Sequence, residues 1–184
     1  MIIGVDLGNK SRNAIAVMDG STLLDYSSLL YDSKIRTTLE HRQLICQQIS
    51  EYISKYNLTK DDWLVFEDIN MYMHGRKSRL ANILSLAYIH ATLVNTFSDK
   101  INIAAVNVKT WKKYVLDNCN ASKEDSVRYV ELHYPQVDLN LVIEHKRKAA
   151  EYKKDDDTAD AICIARFGNI VDKKILEERR LNYH

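Results

Sequence analysis

The chain has 184 residues, 46% hydrophobic and 28% charged, enough to bury a sizeable core in one domain spanning 1–184 and too apolar for a disordered chain. Lys plus Arg total 26 against 25 Asp plus Glu, a net charge of +1, so no global positive field exists and any nucleic-acid contact must come from local basic patches. Three widely spaced cysteines, Cys46, Cys119 and Cys163, show neither zinc-ligand spacing nor a disulfide framework, and no segment reads as a signal peptide or a membrane span, so a soluble cytoplasmic protein is expected.

In chain order, MIIGVD is a short apolar strand closing on Asp6, LGNKS supplies turn chemistry, and NAIAVMDG returns as a second strand ending at Gly20. STLLDYSSLLY continues as a third, giving an antiparallel meander. Thr37 and Glu40 form a capping box for a helix whose Ile45, Ile49, Tyr52, Ile53 and Tyr56 recur at helical spacing. DDWLVFEDIN is a buried strand that delivers Glu67 where its apolar run stops. A second helix starts at Ser78 with Leu80, Ile83, Leu84, Ala87, Ala91 and Val94 on its apolar face, after the basic turn at His74 to Arg79.

INIAAVNV is the fifth strand, and KTWKKYVLDNC and SKEDSVRYVELHY are short helices around a polar turn, the second capped by Ser122 and ended by Pro135. The strongly basic segment at about 136–154 reads as partly helical and of uncertain order. The last helix, capped near Asp157, buries Ala161, Ile162, Ile164, Ala165 and Phe167 before a charged tail. These elements specify an α/β chain: a five-stranded mixed sheet, its first three strands antiparallel, flanked by helices.

The carboxylates suggest chemistry. Asp6 and Glu67 end separate strands, and neighbouring parallel strands bring their C-terminal ends to one edge, where ligands collect. Asp157 and Asp160, three apart, share a helix face that a closing helix would aim at that edge. Any one of these acids alone is adequately explained as a turn residue or as a favourable charge at a helix start, the better account of Asp155 and Asp156. Together they are not, because Asp160 lies inside an apolar run, where an unneutralised charge is expensive. Oxygen-only ligation selects hard divalent ions, Mg²⁺ foremost with Mn²⁺ able to substitute, and a pair of such ions is a known device for displacement at phosphate.

IIGVDLG, LVFEDIN and DDDTADAICIA, in this order, resemble the first strand, the glutamate strand and the terminal D-x-x-D-A helix of the RuvC family of Holliday junction resolvases, within the RNase H-like nucleases. The resemblance spans most of the chain. It implies an RNase H-like fold and identifies Asp6, Glu67, Asp157 and Asp160 as catalytic acids holding two Mg²⁺ ions. VNVKTWKKYVLDNCNASKEDSV is similar to the family segment with two DNA-contacting lysines, which match Lys112 and Lys123. Arg76, Lys77 and Arg79 form a further candidate DNA-binding patch, as do Lys146, Arg147 and Lys148. The implied activity is that of a homodimer that binds branched DNA and nicks two opposed strands of a four-way junction symmetrically.

The chain departs from the pattern at Asn70, where bacterial members carry a junction-wedging aromatic that Met71 or Tyr72 would have to replace, and in its longer 136–154 segment, which suggests a phage- or virus-encoded member. Asp156, four residues before Asp160, competes with Asp157 as a ligand. Three other readings stay open: a less selective nuclease of flaps and forks, a fragment of an actin-like ATPase, and a catalytically silent DNA-binding protein.

Overall fold

A computed structural model describes residues 1–8, 12–30, 38–69, 77–145 and 148–181. Three antiparallel strands, β1 (Ile2–Leu7), β2 (Arg12–Asp19) and β3 (Thr22–Leu30), are followed by α1 (Thr38–Lys55), β4 (Trp63–Glu67), α2 (Lys77–Phe97) and β5 (Asn102–Val106). The sheet is the five-stranded mixed one expected from the sequence; it runs in the order β3-β2-β1-β4-β5, with β4 parallel to both β1 and β5. Then come α3 (Val108–Leu116), α4 (Lys123–His133), β6 (Asn140–His145), β7 (Lys148–Lys154), α5 (Asp156–Ile170) and α6 (Lys173–Glu177). Past α6 the tail folds back on the sheet edge, where Arg180 bridges Ala104 and the Leu181 amide donates to the Ile103 carbonyl at 2.9 Å.

Strand alternation divides the core between the two sheet faces. Ile3, Val5, Ile15, Val17, Leu64 and Phe66 face α1 and α2, which bury Ile45, Ile49, Ile89, Leu93 and Phe97 against them. Ile2, Ala14, Ala16, Trp63 and Val65 face the other way, under α3, α4 and α5. Helix α5 is buried nearly all round: Ala161, Ile162, Cys163, Ile164, Ala165 and Phe167 are each 0% exposed. It lies directly on β1 because Gly4 has no side chain. A Cβ there would stand 2.3 Å from the Ala165 amide nitrogen and 2.4 Å from the Ala161 carbonyl oxygen.

Two expectations need correction. Among its described residues the segment at 136–154 is not helical: β6 and β7 pair antiparallel as a separate two-stranded sheet. The cap of the last helix is Asp155 rather than Asp157, its carboxylate accepting from the Thr158 amide at 3.1 Å and the Thr158 hydroxyl at 2.8 Å. Leu80 and Leu84, part of the apolar pattern that marked α2, are 61% and 48% exposed, and Tyr88 is 58% exposed. Ser122 does cap α4, in a capping box closed by Asp125. Thr37 lies outside the described residues.

Candidate active site

Asp6 and Glu67 meet through sheet register. Val5 is paired with Phe66 in the parallel β1–β4 ladder, so the next residues, Asp6 and Glu67, end neighbouring strands at the same level. Both follow the parity of Ile2 and Trp63 and so point to the α5 face. Helix α5 then brings its acids to them. Gly168 packs over Ile2, and Ala161 and Ala165 pack over Gly4, so α5 crosses β1 with its N-terminus above the strand's C-terminal end. Four helical residues rise ~6 Å and two strand residues ~6.6 Å, so the next step along the pair brings the Asp157 turn of α5 towards Asp6, and Asp160 and Asp157 both act electrostatically on Asp6.

The electrostatics agree. Burial pushes the Asp6 carboxyl well above the usual carboxylate range, and the charges of Asp160, Glu67 and Asp157 push it further. Asp6 nonetheless keeps a window to solvent. Burial also raises Glu67, against the Trp111 hydrogen bond and the nearby Lys112 and Lys123 charges. Asp160, 8% exposed, is pushed up to about 6 by burial, with Glu67 adding to the rise and Ser126, Lys112 and Lys123 opposing it. Asp160 Oδ1 and Ser126 Oγ are shielded from solvent and neither has a hydrogen-bond partner of good geometry. An orphaned, buried carboxylate oxygen is costly to leave unmatched.

Asp156 is in a different environment from Asp157. It contacts Lys123 Nζ, and Lys153 Nζ lies 3.4 Å away; despite partial burial, these cations hold its carboxyl below the usual range. Asp157 stands 3.9 Å from Lys123 and acts electrostatically on Asp6. Lys123 is itself held above its ordinary pKa, because the Asp156 contact and the Asp157 and Asp160 charges outweigh its partial burial.

Lys112 lies near the same acids, its ammonium donating to the Ala121 carbonyl at 2.7 Å, which ties the end of α3 to the turn before α4. Trp111, 0% exposed, donates its indole N–H to Glu67 Oε1 at 2.8 Å. Sequence reasoning missed Trp111 and Ser126. A fully buried indole needs an acceptor, and that requirement was the available signal for Trp111. Of the other predicted residues, Arg76, Asn70, Met71, Tyr72, Lys146 and Arg147 lie outside the described residues, as do the side chains of Lys77, Arg79 and Lys148.

A hard divalent ion fits this set by chemistry: oxygen donors only, one of them orphaned and buried, with like charges that repel until neutralised. Among the described residues, no three His, Cys, Asp or Glu side chains already stand close enough together to hold an ion. No helix among them is long and apolar enough to cross a membrane.

No protein-family model matches this chain, and no curated protein matches it by sequence. Solved structures do. RuvC of Thermus thermophilus superposes with a TM-score of 0.58 at 14% identity over 97% of each chain. The T. thermophilus RuvC structure in complex with a Holliday junction substrate gives 0.61 at 12% identity, over 97% of this chain and 96% of that one. The yeast mitochondrial Holliday junction resolvase gives 0.50 at 13% identity, over 90% of this chain and 76% of its own. The chain therefore has the RNase H-like α/β fold of RuvC.

Proposed function

We propose that this protein is a metal-dependent endonuclease that resolves four-way DNA junctions by hydrolysing phosphodiester bonds in two opposed strands. The observation that carries the reading is that Asp6, beside Glu67 on the neighbouring strand, is raised in pKa first by burial and then by the like charges of Asp160, Glu67 and Asp157. Such an arrangement destabilises the ion-free protein and is relieved by cations. The fold shared with RuvC, solved with a Holliday junction substrate, supports junction DNA as the partner.

In this reading Asp6, Glu67, Asp157 and Asp160 hold two Mg²⁺ ions, or Mn²⁺ in their place. When bound, the ions supply charge neutralisation at the phosphate and a water of lowered pKa. Trp111 orients the Glu67 carboxylate by donating its indole N–H to Oε1 and would leave the other oxygen available to an ion. Ser126 lies where it can donate to Asp160. Lys123 and Lys112 meet the scissile phosphate and its neighbours. Lys123, 3.9 Å from Asp157, would be available to a phosphate if Asp157 held an ion.

Symmetric cutting needs two sites. Leu80, Leu84 and Tyr88, four residues apart on α2 and each about half exposed or more, form an apolar face suited to a second copy of the chain. Equilibrium sedimentation should report a dimer for the wild type and a monomer for Leu84→Glu.

The test of function is a labelled four-way junction incubated with and without Mg²⁺, beside a flap, a fork and a linear duplex. Paired symmetric nicks in the junction alone, only with metal, are expected. Equal cutting of the flap and fork would establish the less selective nuclease instead, and binding without cutting the silent DNA-binding protein.

A further inference from the structure

The β6–β7 hairpin is the part of the molecule that the proposed chemistry leaves unused. Residues 140–154 carry five Lys and Arg against two Glu, a net +3, in a chain whose net charge is +1, so the remainder is net −2. Among the described residues the hairpin strands pair only with each other, and the hairpin is anchored at its base, where the Asp155 amide donates to the Leu139 carbonyl at 2.7 Å and Lys154 Nζ donates to Asn140 Oδ1 at 2.9 Å. Tyr152, on β7, is 79% exposed.

This basic element adjoins the acids. Strand β7 runs straight through Asp155 into α5, and Lys153 reaches Asp156, the neighbour of Asp157. Between β7 and α4 lies a groove of about 730 Å³ that opens at Lys123 and Asp156 and is lined further on by Arg128, Glu131, Lys153 and Lys154. Two of its three acidic members are matched, Asp156 by Lys123 and Lys153 and Glu131 by Lys154 at 2.8 Å, while the third, Glu124, lies in the first turn of α4. The Lys153 and Lys154 side chains are 40% and 48% exposed, and their flexible stems can exchange a carboxylate for a phosphate.

Resting on the nuclease reading above, we infer that the hairpin and the groove beneath it are a second DNA-binding surface: Arg128, Lys153 and Lys154 take backbone phosphates of the arm leaving the active site, and Tyr152 stacks on an unpaired base at the branch point. An exposed aromatic among lysines is the combination that holds unpaired nucleotides, stacking tolerating any base while the ammonium groups track the backbone. The occupant is DNA because the hairpin is basic on an otherwise acidic body and stands beside the proposed site of strand cleavage.

Binding of a fluorescent four-way junction by anisotropy, across a KCl series and without divalent metal, tests this. Tyr152→Ala should weaken binding roughly 5- to 150-fold, the range of one lost base stack, while Tyr152→Phe keeps it. Lys153→Ala/Lys154→Ala should lower the slope of log affinity against log salt by about 1.4 to 1.8, the counterions of two phosphates. These exposed sites should leave Tm within about 2 °C of wild type. In the wild type itself, bound junction should protect Lys153 and Lys154 from acetylation. A wild type that binds the junction, with unchanged affinity and slope in the variants and equal acetylation with and without DNA, overturns the hairpin surface and leaves the nuclease reading standing. A wild type that binds no DNA overturns both.

Discussion

Helix α5 begins with two aspartate environments one residue apart. Asp155 and Asp156 belong to the helix start: the first caps it, and the second lies among lysines that hold its pKa down. Asp157 and Asp160 belong to the strand ends, where Asp6 and Glu67 are raised by burial and, for Asp6, by neighbouring like charge. In the first region a cap and cations hold the carboxylates in their charged form, whereas in the second burial raises Asp6, Glu67 and Asp160, and Asp160 Oδ1 is buried without a hydrogen-bond partner. That difference is the basis for placing the proposed ions in the second region.

The largest effects should come from the second region. Asp6→Asn or Glu67→Gln should reduce junction cleavage by roughly 1000-fold or more, the several kcal/mol that metal-assisted charge stabilisation supplies, while junction affinity survives. Wild-type turnover by either variant would erase the contrast between the two regions.

Gly4→Ala attacks the same region through packing. The new Cβ meets α5 backbone rather than a flexible side-chain end, so α5 must shift, costing about 1–3 kcal/mol and moving Asp157 and Asp160 off Asp6. Thermal unfolding and cleavage should fall together; an unchanged Tm would show that the helix approaches less closely than described.

The acids also predict a pH dependence without metal. A carboxyl whose pKa is raised in the folded state binds its proton more tightly folded than unfolded. The stability it contributes is therefore complete below about pH 4 and is lost as pH climbs through about 6 for Asp160, at most about 3 kcal/mol. Asp6 and Glu67 act with the same sign. Denaturant melts of the metal-free protein should show stability falling from pH 4 to pH 7, less steeply in Asp160→Asn, and a gain at pH 7 on adding Mg²⁺. A rise in stability over this range would contradict the assignment.

Trp111→Phe removes one hydrogen bond to Glu67 and should raise the Glu67 pKa further, slowing cleavage roughly 5- to 30-fold with little change in junction affinity. Asp156→Asn should matter least: its ion pair with Lys123, 61% exposed, is worth less than about 1 kcal/mol, and cleavage should stay within a few fold. A loss as large as that of Asp6→Asn would move Asp156 into the ligand set.

Much of this was legible in residue order. Apolar runs that stop on Asp6 and Glu67 marked strand ends, and an aspartate inside the apolar α5 run marked a buried charge, because burial and charge conflict locally. Features set by contacts distant in sequence were not legible. Gly4 reads as one more small residue in an apolar strand until α5 is laid across it. The indole of Trp111 reads as core until Glu67, 44 positions away, comes within reach. The β6–β7 hairpin shows no sustained polar–apolar alternation in its sequence, so no period marked it. Leu80 and Leu84 fit a helical apolar stripe equally well whether it faces the sheet or another molecule.

The most direct measurement is a crystal grown with Mn²⁺ and examined by anomalous diffraction. The account predicts manganese density among the Asp6, Glu67, Asp157 and Asp160 carboxylates, with Asp156 still on Lys123. Full-occupancy density elsewhere, or none beside Asp6 at saturating Mn²⁺, would contradict it.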